Sequence, residues 1–280
     1  MTYDLPPSEQ LTYSTVRIEC ELISGGIGTG TGFFYQFAKQ GDKYIPAIVT
    51  NKHVIVDAKK GLIHLHLADE KGDPLAGQFF SVVIENMEAS WILHPDSEVD
   101  LCILPIARLL TEAQASGKNI FMISLDHSLI PAQDLMAELT AIEDVIMIGY
   151  PNGIWDQANN MPIIRKGITA THPNLNYNGK QEFMIDAACF PGSSGSPVFL
   201  FNLGMFARRD GSTTVGSRIA LLGILYAGPQ HTATGEIQII NVPTQQKPVT
   251  FSRIPNNLGI VIKSSRLLDF DVMLQNLAGN

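Results

Sequence analysis

The segment FPGSSGSPVF, residues 190–199, concentrates three serines and two glycines in a single predicted turn. A serine hydroxyl is a weak nucleophile, and it needs a general base and hydrogen-bond donors for the oxyanion that develops during attack. Glycine allows the unusual dihedral angles of a tight turn and a close approach of the backbone to a substrate. Read as G-x-S-G-S-P from residue 192, the turn predicts Ser194 as the nucleophile and the N–H groups of Gly192 and Ser194 as the oxyanion hole.

Two other interpretations of this turn are weaker. The G-x-S-x-G elbow of α/β-hydrolases does not fit, because Ser196 stands at the second glycine position and because the histidine and carboxylate candidates precede the serines. Ser193 is a rival nucleophile, but its neighbours do not match the G-x-S-G-S-P pattern. Ser194 therefore remains the predicted nucleophile.

The base that activates a serine is typically a histidine held by a carboxylate. His53 follows the apolar run IPAIVT within a polar turn, which presents its imidazole at the edge of a sheet. Asp100 begins the apolar run DLCILPI, where a half-buried carboxylate can accept the imidazole N–H and stabilise the imidazolium. The sequence therefore predicts one site that contains His53, Asp100 and Ser194.

Short strand-like runs must position these side chains. Gly, Pro, Asn and Asp separate the runs, and this pattern is typical of an all-β sandwich or barrel. The runs occupy residues 14–23, 32–38, 44–50, 62–68, 79–86, 100–106, 144–150, 183–188, 197–201, 218–227 and 258–263. Helical spacing predicts helices over residues 107–116 and 265–277, and the polar, proline-rich segment 228–257 predicts a long loop.

The order His53, Asp100, Ser194 resembles that of the chymotrypsin-like (trypsin-like) serine peptidases. The segment IDAACFPGSSGSPVF, residues 185–199, is similar to the nucleophile segment of the bacterial HtrA/Deg proteases, and its GSSGSPVF part is also similar to that of the glutamyl endopeptidases. Further landmarks of the family follow in the same order, at residues 29–35, 48–55, 99–104, 145–153, 165–171, 221–228 and 257–265.

The resemblance implies an all-β fold of two six-stranded antiparallel β-barrels, with the site between them and a C-terminal helix. Residues 1–125 are expected to form the barrel that carries His53 and Asp100, and residues 126–280 the barrel that carries Ser194, together with the helix. The implied activity is that of a serine endopeptidase that forms an acyl-enzyme and uses no metal or organic cofactor. No PDZ domain is expected after the helix, and a bacterial source follows from the resemblance alone.

The resemblance also places the S1 pocket, which receives the substrate side chain before the cleaved bond. Its expected lining is Ala188 at the base, Cys189 beside it, and Tyr226, Ala227 and Gly228 along the wall. No carboxylate stands at these positions, so a lysine or arginine side chain would be desolvated without a counter-charge. Glutamyl endopeptidases have a histidine in the wall strand, where this chain has Leu225. Small or medium apolar P1 residues are therefore expected.

Two further patterns do not indicate a different function. His64 and His66 share a strand face and could ligate a metal, but no third ligand lies nearby in the sequence, so a solvated strand face is expected. The glycines of residues 25–32 do not match a dinucleotide-binding loop, because Phe33 occupies the last glycine position and no βαβ unit follows. They are expected to allow close backbone approach. Two alternatives to an active endopeptidase remain open: a catalytically silent pseudoprotease that acts as a binding module, and a latent protease that a partner activates.

Composition limits the partners and the compartment. The chain has 280 residues, a net charge of −8 and no basic run, so nucleic acid is not an expected partner. Neither a signal peptide nor an apolar run of membrane-spanning length is present in this sequence, so no membrane contact is expected. Three widely spaced cysteines are expected to be small buried hydrophobes in a reducing compartment. These features predict a cytoplasmic protein that acts on proteins or peptides and whose oligomeric state is open.

Overall fold

Two large sheets, one in each half of the chain, make up most of the structure. The structure is a computed structural model that describes residues 5–236, 249–255 and 257–278. The predicted all-β class with a C-terminal helix is confirmed.

Eight strands form the sheet of the N-terminal half. They are β1 (Thr15–Leu22), β2 (Ile27–Gln40), β3 (Lys43–Thr50), β4 (Ala58–Ala68), β5 (Pro74–Glu85), β6 (Ile92–Leu93), β7 (Cys102–Pro105) and β8 (Ile120–Phe121). The hydrogen-bonded order is β5-β4-β1-β2-β3-β7-β6, and β8 pairs with β4, so this half has an eight-stranded sheet instead of the predicted six-stranded barrel. The sequence predicts only six of these strands, because β6 and β8 have two residues each and a pattern of alternation cannot show in so short a run.

Ten strands follow in the C-terminal half. They are β9 (Asp144–Gly149), β10 (Ile163–Thr169), β11 (Glu182–Asp186), β12 (Pro197–Asn202), β13 (Met205–Ala207), β14 (Thr213–Val215), β15 (Arg218–Ala227), β16 (Gln230–Glu236), β17 (Val249–Pro255) and β18 (Leu258–Lys263). Six of them close into the predicted barrel, in the order β10-β11-β18-β15-β12-β9. The prediction of a loop over residues 228–257 is wrong for its described part, because β16 and β17 pair as an antiparallel hairpin. Residues 237–248 lie outside the described residues.

Five short α-helices precede, connect or follow the strands in the described part of the chain. They are α1 (Pro7–Thr12), α2 (Lys52–Ile55), α3 (Ala107–Ala115), α4 (Gln133–Glu138) and α5 (Leu268–Ala278). The helices predicted over 107–116 and 265–277 correspond to α3 and α5, and a 3-10 turn over Ser264–Leu267 precedes α5. The helix α2 has only four residues, too few to show a helical period in the sequence, yet it carries His53.

One hydrophobic cluster joins the two halves. It contains Phe33, Tyr35 and Val49 of the first sheet together with Phe199 of the barrel and Phe270 of α5, and all five side chains are fully buried. Burying a side chain of this kind stabilises the fold by about 1.5–3 kcal/mol. The two halves therefore share a core that holds them in one relative position, and the proposed boundary at residues 125/126 stays a prediction.

The histidine pair of β4 has two different environments. His64 Nδ1 lies 2.8 Å from Ser81 Oγ. His66 is buried against the ring of Tyr13, and this burial lowers the pKa of His66 to about 4. The expectation of a solvated strand face is therefore wrong for His66, because Tyr13, which follows α1, packs against its ring. Within the described ranges, no group of three His, Cys, Asp or Glu side chains could hold a metal ion.

The cysteines and part of the glycine-rich segment behave as the sequence predicts. A Cβ at Gly32 would lie 2.6 Å from the Cγ2 of Ile48, whereas a Cβ at Gly25 or Gly26 would meet nothing within 4 Å, so only the later part of the glycine-rich segment packs closely against its neighbours. Cys20, Cys102 and Cys189 are all buried free thiols. No helix in the described part of the chain is long and apolar enough to cross a membrane.

Candidate active site

His53 and Asp100 are joined by two hydrogen bonds. The strand β3 leads through Asn51 into α2, and His53 lies in the first turn of that helix. Asp100 lies just before β7, the strand that pairs with β3. His53 Nδ1 is 2.5 Å from Asp100 Oδ2, and the His53 backbone N–H donates to Asp100 Oδ1 at 3.1 Å. A carboxylate accepts only, so Nδ1 carries the proton and Nε2 is left as the basic nitrogen. The imidazole remains 48% exposed and can reach a substrate.

The backbone of Asp100 is also held, by a residue that sequence reasoning missed. Asn51 is fully buried, and its Nδ2 donates to the Asp100 carbonyl at 2.7 Å. Lys52 Nζ donates to the carbonyls of Asp96 and Ser97 at 3.3 and 3.2 Å, which ties the preceding loop to α2. The sequence shows Asn51 two residues before His53, which could have indicated a role near the site. It does not show the partner of Asn51, because Asp100 lies 49 positions away.

Among the serines of the turn, only Ser194 faces a cavity. Ser193 is 1% exposed, and its Oγ accepts a long hydrogen bond from the Phe190 N–H at 3.5 Å. Ser196 is fully buried. Ser194 is partly exposed and lines a cavity of about 330 Å³. This difference in exposure favours Ser194 over Ser193 as the reacting hydroxyl.

Ser194 and His53 are not hydrogen-bonded to each other in the described structure. The Ser194 hydroxyl points to the Tyr226 carbonyl, at 3.5 Å. The Ser194 carbonyl accepts from the Thr31 N–H at 2.9 Å, and Thr50 Oγ1, three positions before His53, donates to the Thr31 carbonyl at 2.7 Å. These bonds tie the turn to the segment that leads into His53. A rotation about one side-chain bond redirects the hydroxyl, and catalytic hydrogen bonds are often long before substrate binds.

Two backbone donors of the turn have no acceptor within the described residues. They are the N–H groups of Gly192 and Ser194. The intervening Ser193 N–H donates to the Phe190 carbonyl at 3.0 Å, and the Pro191 carbonyl accepts from the Asn152 N–H at 2.5 Å. The Pro191 carbonyl is therefore directed to Asn152, and the arrangement suits an oxyanion that accepts from the two unpaired groups.

Both glycines of the turn are required by its geometry. Gly192 has φ of +87° and Gly195 has φ of +86°, a region that residues with a Cβ rarely adopt. A Cβ at Gly192 would lie 2.6 Å from the Tyr150 carbonyl oxygen. A Cβ at Gly195 would overlap the Thr31 carbonyl oxygen and lie 2.5 Å from Thr50 Oγ1. The turn can therefore pack against β2 only with glycine at these positions.

We expect Gly195→Ala to lower the free energy of unfolding by at least about 2 kcal/mol and to reduce activity, because strain at positive φ adds to the overlap with Thr31. Gly211→Ala is the matched control: its φ is +84°, but a Cβ there meets nothing within 4 Å. That variant should lose only about 1 kcal/mol. Urea unfolding measures the free energy of unfolding of both variants. Equal losses of stability in Gly195→Ala and Gly211→Ala would show that the overlap with Thr31 does not contribute.

The cavity next to Ser194 coincides with most of the predicted S1 pocket. Its lining consists of Cys189, Phe190, Pro191, Ser194, Leu225, Tyr226, Ala227, Gly228 and Pro229. Ala188, predicted at its base, does not line it, and its carbonyl accepts a hydrogen bond from Arg165 Nη1. The sequence did not predict three lining residues, Phe190, Pro191 and Pro229. They line the cavity only because two loops that are distant in the sequence meet there.

The cavity contains no charged side chain. Burial raises the pKa of the Cys189 thiol to about 11, so the thiol is neutral at physiological pH. Burial and the neighbouring Glu182 raise the pKa of Tyr226 far above its usual range, so the phenol is also neutral. The lining thus suits an uncharged side chain.

A family model and several solved structures match the chain. A family model described as "Trypsin-like peptidase domain" matches residues 30–205. The chain is similar to the HtrA-type protease AlgW with tripeptide, at 16% identity and a TM-score of 0.48, over 95% of this chain and 60% of that one. It is also similar to the Rv3671c protease from M. tuberculosis in its active form, at 13% identity and a TM-score of 0.41, over 96% and 88%. No curated protein sequence matches the chain.

Proposed function

Because this chain belongs to the trypsin-like peptidase family and is a serine-type endopeptidase, we propose that His53, Asp100 and Ser194 are its catalytic triad. The observation that carries the proposal is the pair of hydrogen bonds from His53 to the two oxygens of Asp100. Such a pair fixes both the ring orientation and the tautomer that a general base needs. Proteins or peptides are the substrates that the family implies.

The reaction follows from this geometry. His53 Nε2 takes the Ser194 proton while Oγ forms a bond to the substrate carbonyl carbon, and the π electrons of the carbonyl move to its oxygen. The N–H groups of Gly192 and Ser194 donate to that oxyanion. When the carbonyl re-forms, the C–N bond breaks, and the amine leaves with the proton from His53. A water molecule, deprotonated by His53, then hydrolyses the acyl-enzyme, and Asp100 stabilises the imidazolium in both halves.

A fluorophosphonate probe tests the proposal. The expected result is one covalent adduct, mapped by mass spectrometry to Ser194. A folded protein that does not react would favour the catalytically silent alternative. The other alternative is a latent protease that a partner activates. Labelling that occurs only after addition of cell extract would identify that case.

The cytoplasmic location stays a prediction.

The lining of the cavity predicts the P1 preference. Leu, Val, Met and Ala substrates are expected to exceed Lys, Arg, Asp and Glu substrates in kcat/KM by about 10²-fold or more, because an ion would be desolvated without a partner. A P1 peptide library measures this ratio. Ala227→Asp should raise the rates for Lys and Arg, whereas the uncharged control Ala227→Asn should not. A wild-type preference for charged P1 residues would contradict the proposal.

A further inference from the structure

Thr31 connects three segments that meet behind the nucleophile turn. It lies in β2 and is fully buried. Its hydroxyl donates to the Gly192 carbonyl at 2.9 Å and accepts from the Tyr150 N–H at 3.0 Å. Its backbone N–H donates to the Ser194 carbonyl at 2.9 Å. A single residue of the N-terminal sheet thus holds two carbonyls of a turn that belongs to the C-terminal barrel.

The peptide planes of the turn show what these contacts accomplish. The carbonyls of Pro191 and Ser193 are held by the backbone N–H groups of Asn152 and Ser196. The carbonyls of Gly192 and Ser194 are held by Thr31. All four successive carbonyls are therefore engaged by donors. A planar peptide directs its N–H opposite to its carbonyl. The Gly192 and Ser194 N–H groups share their peptides with the Pro191 and Ser193 carbonyls, and the Gly192 carbonyl that Thr31 holds belongs to the peptide between them.

We propose that the Thr31 hydroxyl is a positioning group that sets the orientation of the oxyanion hole, an inference that rests on the proposed function. The hydroxyl uses its donor and an acceptor site at once, which a methyl group of the same size cannot do. Gly192 and Tyr150 are buried, so without the hydroxyl a carbonyl and an N–H would lose their partners. The Gly192–Ser193 peptide would then rotate to find another donor. Because this peptide joins the two peptides that carry the Gly192 and Ser194 N–H groups, its rotation would change the angle between those two N–H groups.

The space around Thr31 supports a specific role for its hydroxyl. A Cβ placed on Gly149 would lie 2.7 Å from Thr31 Oγ1, so the strand β9 passes directly beside the hydroxyl. The Thr31 carbonyl is held independently by Thr50 Oγ1, at 2.7 Å. The backbone of β2 therefore stays in place when the hydroxyl is removed, and the change falls on the turn.

Thr31→Val, Thr31→Ser and Thr169→Val test the proposal. Thr169 is the matched control, because it is equally buried and its hydroxyl also donates to a carbonyl, that of Ala141 at 2.7 Å, and accepts from an N–H, that of Glu143 at 2.9 Å. Thr31→Val is expected to lower kcat by about 10²-fold, the usual effect of losing one oxyanion donor, with little change in KM. Thr31→Val should also lower the binding affinity for a peptidyl boronate by a similar factor, because the boronate mimics the tetrahedral intermediate.

The controls separate positioning from general stability. Thr31→Ser keeps the hydroxyl and should restore most of the kcat. Thr169→Val should lose as much thermal stability as Thr31→Val but keep the wild-type kcat. The proposal is overturned if Thr31→Val keeps the wild-type kcat, or if Thr169→Val or Thr31→Ser loses as much kcat as Thr31→Val.

A structural measurement distinguishes failure of this inference from failure of the proposed function. Crystal structures of wild type and Thr31→Val should show a rotated Gly192–Ser193 peptide in the variant. If the wild type is inert towards the fluorophosphonate probe, the proposed function fails, and the crystal structures still decide the role of Thr31. An unchanged turn in Thr31→Val would overturn the inference even if the wild type is fully active.

Discussion

Ser194→Ala is expected to lower kcat on peptide substrates by about 10⁵–10⁶-fold, with little change in KM. Alanine removes the only hydroxyl of the turn that reaches the cavity, so no acyl-enzyme can form. The remaining rate would come from the oxyanion donors and substrate binding, which alanine leaves intact. Steady-state kinetics on a peptide with an apolar P1 residue measure the loss, and labelling by the fluorophosphonate should disappear.

Ser193→Ala is the matched control for this change. Its hydroxyl is buried and is contacted by the Phe190 N–H at 3.5 Å, so most of the kcat should remain. Equal losses in the two variants would overturn the assignment of the nucleophile. A loss confined to Ser193→Ala would move the assignment to that residue.

Asp100→Asn is expected to reduce kcat by about 10⁴-fold with the fold intact. The Asp100 carboxylate accepts both the Nδ1 proton and the backbone N–H of His53. An asparagine placed there can turn its NH₂ group to Nδ1 and stabilise the tautomer with the proton on Nε2. That nitrogen can then no longer take the Ser194 proton. The kcat/KM of the variant, measured on the same peptide, checks the size of the effect.

Asp96→Asn provides the control in the same loop. Asp96 pairs with Arg266 at 2.9 Å and accepts from the Glu98 N–H at 3.0 Å, so it holds the loop without contacting His53. The variant should lose some stability but little kcat. A loss as large as that of Asp100→Asn would mean that loop position, and not the carboxylate on His53, controls the rate.

The strands of the N-terminal half could be predicted where they are long enough to show a pattern, whereas the seven-residue β10 of the C-terminal half was missed. β1–β5 and β7 all overlap apolar runs in the sequence, whereas β6 and β8 have two residues each and were missed. His66 was expected at a solvated surface, yet Tyr13 covers it. Strand periodicity shows that two residues share a face, but it does not show what packs on that face.

The sequence by itself predicted which side chains could act as nucleophile, base and carboxylate, and it determined where glycine permits the turn that carries the serine. Residue type and local backbone preference decide these properties, so they can be read from adjacent positions. Only the tertiary structure decided that Asn51 holds Asp100 and that Thr31 holds Gly192, partners that are 49 and 161 positions apart. Such hydrogen bonds form only after two sheets have packed together, because distance in space and not along the chain determines which donor meets which acceptor.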